Sequence, residues 1–246
     1  MTKYTIYKAF DKKFPFKIWK IVVDANTRLV GVELRHEETT KPIIHVLDFE
    51  GNTVLDNLAL DEKEWTLEAI RKETIILKRF GDMTPVKEGI LFLDLSGVER
   101  CYIPDHILLD TYLDHIKLRH RSFQSGFEKY IDIATTKEIS TPSLDYCCEL
   151  KMPVPYTGTP PLYLKNANIQ DLLWVSRSED KLLWCYHIPS GKNFDLNLCI
   201  ASASNILHEQ CLMTNMPKMI PQPYFQIRNQ IFIMSYNKQE IVSYLV

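Results

Sequence analysis

The chain has 246 residues, 46% of them hydrophobic and 24% charged, values of a folded globular protein that exclude an intrinsically disordered one. Its net charge is −2, from 29 basic and 31 acidic side chains, which excludes a global attraction to nucleic acid or an anionic membrane. Twelve Tyr and eleven Phe lean the composition toward strands.

The amino-terminal stretch MTKYTIYKAFDKKFPFKIWK lacks an uninterrupted apolar run followed by a small-residue cleavage site, so no secretory signal is read there. No run approaches the roughly 18 apolar residues of a membrane-spanning helix. The expectation is a cytoplasmic protein with no membrane or nucleic-acid partner. Short β-branched or aromatic runs then follow in chain order: Arg28 to Arg35 (RLVGVELR), Ile43 to Asp48 (IIHVLD), Thr74 to Phe80 (TIILKRF), Gly89 to Leu95 (GILFLDL) and Ile231 to Tyr236 (IFIMSY). They are too short for helices and predict strands. Glu62 to Arg71 and Pro104 to Ile116 can each be drawn as a helix instead, the second with Pro104 at a suitable first position.

One phrase recurs: an apolar strand ends at a polar residue, a short turn follows, and a second strand begins. It stands as HVLDFEGNTVL (Asp48, Gly51), LFLDLSGVERCY (Asp94, Gly97), KYIDIATTKEI (Asp132), WCYHIPSGKNFDL (His187, Gly191) and, degraded, IMSYNKQEIVSYL (Tyr236). The anchors lie 46, 38, 55 and 49 residues apart, a mean period near 47. Each hairpin is preceded by a strand ending near an arginine: Arg35, Arg79, Arg119, Arg177 and Arg228. Three or four antiparallel strands in each unit of this length make a propeller blade.

The Asp-x-x-Gly hairpins resemble the outer strands of β-propeller blades of the quinoprotein and lactonase-like kinds, and the chain also resembles a family of uncharacterised bacterial proteins carrying a domain of unknown function. The resemblance implies an all-β, antiparallel β-propeller-like repeat of about five blades, with six or seven smaller ones as alternatives, and no known activity. A multi-sheet β-sandwich is the other architecture these strands permit. Residues 1–246 are read as one domain, with a Pro-rich insertion loop at 141–161, because proline cannot donate to the ladder of a central strand. Met216 to Pro223 reads as a second such loop.

With four strands per blade, the five arginines fall at the turn between the second and third strands. There they would form a loose ring of guanidinium groups suited to a carboxylate or phosphate ligand. Glu37, Glu38, Asp82, Glu179 and Asp180 stand in the same turns and offer local partners instead. The basic cluster Lys117, Arg119, His120 and Arg121 reads as a solvated strand face. His106, Asp110 and Asp114 would share one face of a helix and suit a metal or acid/base site; on strands they disperse. Trp174 and Trp184 flank one hairpin, as a cross-strand pair in the core or as exposed platforms for a sugar or base. Trp19 and Trp65, 46 residues apart, read as equivalent blade-core positions. The six cysteines show no metal-knuckle spacing and read as reduced thiols, the adjacent Cys147 and Cys148 included.

No nucleophile elbow, phosphate loop or dinucleotide fingerprint is present, so no catalytic residue, cofactor or metal is assigned. The expected function is a non-catalytic scaffold or binding module for a protein or small anionic ligand. A hydrolase with carboxylates or a metal in a central channel is the alternative.

Overall fold

The computed structural model describes residues 5–79, 88–140, 142–143, 145 and 150–246. Asp82, Phe80, Cys147 and Cys148 lie outside the described residues. The fold is all-β, a propeller-like repeat of five antiparallel sheets, each of four or five strands. Two compact units carry the sheets: a middle unit, Phe14–Cys148, and a terminal unit, Met1–Lys13 with Glu149–Val246.

The first strand, β1 (Tyr7–Lys13), belongs with the carboxyl-terminal strands. The middle unit then builds three four-stranded meanders in chain order. They are β2 (Lys17–Asp24) to β5 (Thr53–Ala59) through β3 (Leu29–Arg35) and β4 (Pro42–Asp48); β6 (Trp65–Arg71) to β9 (Glu99–Pro104) through β7 (Thr74–Arg79) and β8 (Gly89–Asp94); and β10 (His106–Thr111) to β13 (Glu138–Ile139) through β11 (His115–His120) and β12 (Glu128–Asp132). The inner strands β3, β4 and β7 are buried on both faces, which their near-continuous apolar runs require. Leu29, Ile44, Val46, Leu67, Ile70 and Ile75 form a core shared by the first two sheets; Ile76, Phe92, Ile116 and Leu118 form one shared by the second and third.

In the terminal unit the segment just after residue 149 supplies β14 (Leu150–Lys151) to one sheet and β15 (Val154–Pro155) to the next. β16 (Gln170–Ser178), β17 (Lys181–Ser190), β18 (Asn193–Ala201) and β19 (Ile206–Met216) continue from β15. β20 (Phe225–Ile227), β21 (Gln230–Met234) and β22 (Glu240–Leu245) continue from β14, and β1 pairs with β22 at the far edge. Trp174, Leu198, Ile200, Tyr224, Ile231 and Tyr244 belong to the core of this unit. A segment with a 3-10 turn at Leu162–Leu164 covers the opposite face of the β16–β19 sheet, its Leu164 packing with Trp184, Tyr186 and Cys199.

The recurring polar anchors are turn-makers. Asp48 Oδ1 accepts from the backbone N–H of Glu50 (3.0 Å) and Asn52 (2.8 Å), and Asp94 Oδ1 from Ser96 (2.8 Å) and Val98 (3.0 Å). Asp132 Oδ1 accepts from the N–H of Thr135 at 2.7 Å. These are side-chain mimics of a backbone turn. Gly51 (φ 87°) and Gly97 (φ 82°) supply the left-handed residue that the first two turns need.

Several expectations change. Glu62 to Arg71 and Pro104 to Ile116, which could be drawn as helices, form strands and turns: Leu67 and Ile70 pack into one shared core, Ala69 and Ile116 into the other. His187 lies inside β17 and is buried; the hairpin turns instead at Ser190–Asn193 around Gly191. In the last repeat Ser235, not Tyr236, takes the anchor role, its Oγ accepting from the N–H of Gln239 (3.3 Å) and Glu240 (3.0 Å). Part of 141–161 lies outside the described residues, and within the rest Val154–Pro155 forms an edge strand, where a missing N–H is tolerated. Trp174 and Trp184 are both buried, but they point to opposite faces of their sheet and are not a cross-strand pair. Trp19 is 67% exposed and so is not a core residue.

Candidate functional site

All five arginines occupy one topological position, the end of the second strand of their own sheet or the turn that follows it. Arg35 ends β3, Arg79 ends β7, Arg119 is the penultimate residue of β11, Arg177 the penultimate residue of β16, and Arg228 follows β20. The position recurs because a hairpin leaves there in every repeat. What each guanidinium does there differs.

In the middle unit the arginines turn back onto their own chain. Arg35 donates to the carbonyls of Thr40 (3.0 Å), Lys63 (2.7 Å) and Trp65 (2.9 Å), and pairs with Glu33 Oε1 at 2.5 Å. Glu33 is wholly buried, and its other oxygen accepts from Thr66 Oγ1 and the Leu67 N–H, both at 2.7 Å. Arg79 pairs with Glu62, and Arg119 donates to the Gln124 carbonyl. Arg35 also lies 5.7 Å from the Trp19 ring and Arg79 5.6 Å from the Trp65 ring, so the two tryptophans are equivalent as ring platforms. The local acids that engage Arg35 and Arg79 are Glu33 and Glu62, which precede the turns.

The terminal unit is different. Arg177 and Arg228 sit beside the two-residue turns that join β16 to β17 and β20 to β21, and both are exposed. The buried side chain of Gln226 draws the two turns together: its Nε2 donates to the carbonyls of Arg177 (3.4 Å) and Arg228 (2.7 Å). Its Oε1 accepts from Ser176 Oγ (2.8 Å), which also meets the Tyr224 hydroxyl (2.7 Å). One fixed amide therefore anchors the backbones from which both guanidinium groups project. Burial lifts the Tyr224 hydroxyl pKa far above the usual phenol range, so it serves this network as a neutral hydroxyl. Lys181 lies 3.9 Å from both Glu179 and Asp180 beside the Arg177 turn.

The remaining candidates disperse. His106 and Asp110 lie on β10 and Asp114 in the next turn, where it pairs with Lys72 at 2.8 Å. Among the described residues no three His, Cys, Asp or Glu side chains converge as metal ligands. The cluster around Lys117 is largely satisfied within its own sheet, Lys117 by Glu128 at 2.5 Å and Arg121 by Asp105 at 3.1 Å. Burial pushes the Cys199 thiol up to about 12 and raises Cys185 and Cys211, so these thiols resist ionisation. Gln226 escaped sequence reading, since a lone glutamine two residues before an arginine carries no motif. Glu33 had a readable signal, because residues two apart on a strand share a face.

No family model matches the chain, and no curated protein matches it. Among solved structures it is similar to the β-propeller domain of the Trilobed protease from Pyrococcus furiosus: 11% identity over 90% of this chain and 64% of that one, TM-score 0.34. It is also similar to prolyl oligopeptidase B from Galerina marginata (11%, 93% and 32%, TM-score 0.33) and to uncharacterized protein lmo1340 from Listeria monocytogenes (10%, 89% and 78%, TM-score 0.35). The chain thus spans less than two thirds of the first two. Likeness this low carries no information about ligand or reaction.

Proposed function

We propose that the chain is a non-catalytic binding or scaffold module that holds an anionic group, a carboxylate or phosphate, between Arg177 and Arg228. The observation behind this reading is the Gln226 amide, which ties the two arginine-bearing turns to one buried anchor. Fixed backbones spare the binding step the cost of ordering the turns, and the planar donors of a guanidinium suit the two oxygens of an oxyanion. Arg35 and Arg79 already hold carboxylates of their own chain, so an added anion would have to displace Glu33 or Glu62. Arg119 donates to the Gln124 carbonyl, and the reading takes from the five arginines the two whose backbones share one anchor.

Pyrophosphate tests it. At about a hundred times its dissociation constant a ligand of the native state adds about 2.7 kcal/mol to stability. A pyrophosphate-dependent rise in Tm is expected, weakened by salt and abolished in the double variant Arg177→Gln/Arg228→Gln. A rise that survives in that variant refutes the pair. Silence toward pyrophosphate, citrate and inorganic phosphate alike removes the anion and leaves a protein scaffold.

A further inference from the structure

The segment that joins β15 to β16 carries a second surface, independent of the arginine pair. It runs from Tyr156 to Ile169 and is stapled to one side chain of the β16–β19 sheet at two places. Tyr156 packs edge-on against the Trp184 ring, with centroids 5.1 Å apart, and Tyr163 Oη accepts from Trp184 Nε1 at 3.0 Å. Between these staples the chain meets water: Thr157, Gly158, Thr159, Pro160 and Leu162 are exposed, and Pro161 is half-buried.

The exposed stretch is held in shape. Gly158 lies against the Tyr156 side chain, where an added Cβ would stand 2.6 Å from the hydroxyl oxygen. The pyrrolidine rings fix φ at residues 160 and 161. Pro161 adopts φ −54° and ψ 148°, in the polyproline II region, and a single 3-10 turn, Leu162–Leu164, follows it. The Pro161 carbonyl accepts from the Leu164 N–H at 2.8 Å, and the Leu162 carbonyl from the Lys165 N–H at 3.2 Å. Leu164 then closes the loop onto the sheet, buried with Trp184, Tyr186 and Cys199.

Leu162 does the opposite. It is 87% exposed, the highest value among the exposed large hydrophobic side chains of the described residues. A lone exposed leucine is ordinary on a protein surface. This one stands directly after a diproline whose backbone already has the conformation that aromatic-lined grooves grip. The fold takes its core contact from Leu164 and gains almost nothing from Leu162. Charge offers no handle, since Lys165 is the single charged residue from Tyr156 to Ile169. A partner must therefore recognise backbone shape and apolar surface, and a braced loop presents both at small ordering cost.

We propose that Pro160, Pro161 and Leu162 are the ligand loop for a second protein, one whose groove is lined by aromatic rings and takes polyproline II segments. The prolines lie across those rings, and Leu162 fills the adjoining apolar pocket. Tyr156 and Tyr163 stay on Trp184 and hold the loop to its sheet.

The test is selection of a phage library of WW domains, randomised at groove and loop positions, on the immobilised full chain. The expected winners keep aromatic groove residues and are displaced by free decaproline. They bind Pro160→Ala and Leu162→Ser about tenfold or more weakly than the parent. Leu162→Ser removes exposed surface alone and leaves Tm unchanged. Pro221→Ala, in the other Pro-rich loop, is bound as the parent is. Winners that ignore decaproline, or that bind Leu162→Ser as well as the parent, overturn the proposal. So do winners lost on Pro221→Ala alone, which would move the ligand to the other loop, and a lowered Tm in Leu162→Ser, which would make that side chain structural. Failure of the selection to enrich any sequence also overturns it.

Discussion

The two units treat the same topological position in opposite ways. In the middle unit the connections after the second strand are long, and Arg35 folds back to close its connection and neutralise a buried carboxylate. In the terminal unit the connections are two residues, and Arg177 and Arg228 stand on backbones pinned by Gln226. The lesson is that a repeated residue is not a repeated role. Turn length differs between the units, and so does the residue that shares a face with the arginine: Glu33 two positions before Arg35, Val175 and Gln226 before Arg177 and Arg228.

The largest expected effect breaks the comparison most directly. Arg35→Ala strands the fully buried Glu33 carboxylate, and removing one partner of a buried pair costs about 3–5 kcal/mol. Arg177→Ala removes an exposed side chain and should stay within about 0.5 kcal/mol. Urea denaturation of both variants measures the difference. Equal losses would erase the distinction between structural and exposed arginines. Glu33→Gln is the sharper companion, because it keeps the shape and removes the charge.

Glycines sharpen the contrast at smaller magnitude. Gly31 on β3 leaves no room for a side chain: an added Cβ would stand 2.6 Å from Ile70 Cδ1 and 2.9 Å from Val22 Cγ2. Gly31→Ala overpacks the shared core of the middle unit and should cost about 1–3 kcal/mol. Gly191, in the β17–β18 turn of the terminal unit, has open space but φ 64°. Gly191→Ala should cost about 1–2 kcal/mol through the backbone alone, and Gly191→Asn less, since asparagine tolerates that region. Equilibrium denaturation of the three variants separates packing from conformation; an Asn variant as unstable as the Ala one would show that the Gly191 turn is held by something other than its φ.

Much of this architecture was legible because turn chemistry is local. Asp48, Asp94 and Asp132 cap their turns through backbone N–H groups two to four residues on, so the repeat shows in sequence wherever a carboxylate does that work. It blurred where another group substitutes, at Ser235, and where a longer strand carries the turn past the expected place, at His187. Pro104 to Ile116 read equally as helix because its charged residues recur at helical spacing; only packing of Ile116 and Leu118 against the neighbouring sheet decides for strands. The arginines could be placed but not all their partners, since Lys63 and Trp65 reach Arg35 from beyond its own sheet and Gln226 lies on a different sheet from Arg177. Contacts between repeats are tertiary facts with no local signature.

The smallest effect compares one buried histidine from each unit. His187, in the terminal unit, accepts the Ile220 N–H at Nε2 (3.1 Å), whereas His115, in the middle unit, is stacked on Tyr112 at 4.6 Å with Nε2 buried and unsatisfied. Burial lowers the pKa of both; Asp114 and Asp132 oppose it at His115, and Asp171 at His187. A histidine whose folded pKa lies below its unfolded value of about 6.5 binds more protons when unfolded. Stability is therefore full above that value and is lost as pH falls from it toward the folded pKa. His115→Phe keeps the ring stack, removes the orphan nitrogen, and should narrow the stability gap between pH 8 and pH 5.5 without loss at pH 8. His187→Phe also narrows the gap, but strands the Ile220 N–H and so loses stability at pH 8. Urea titrations of both variants at the two pH values read this out. If His115→Phe loses as much at pH 8 as His187→Phe, the buried nitrogen of His115 has a partner after all, and the two units handle their histidines alike.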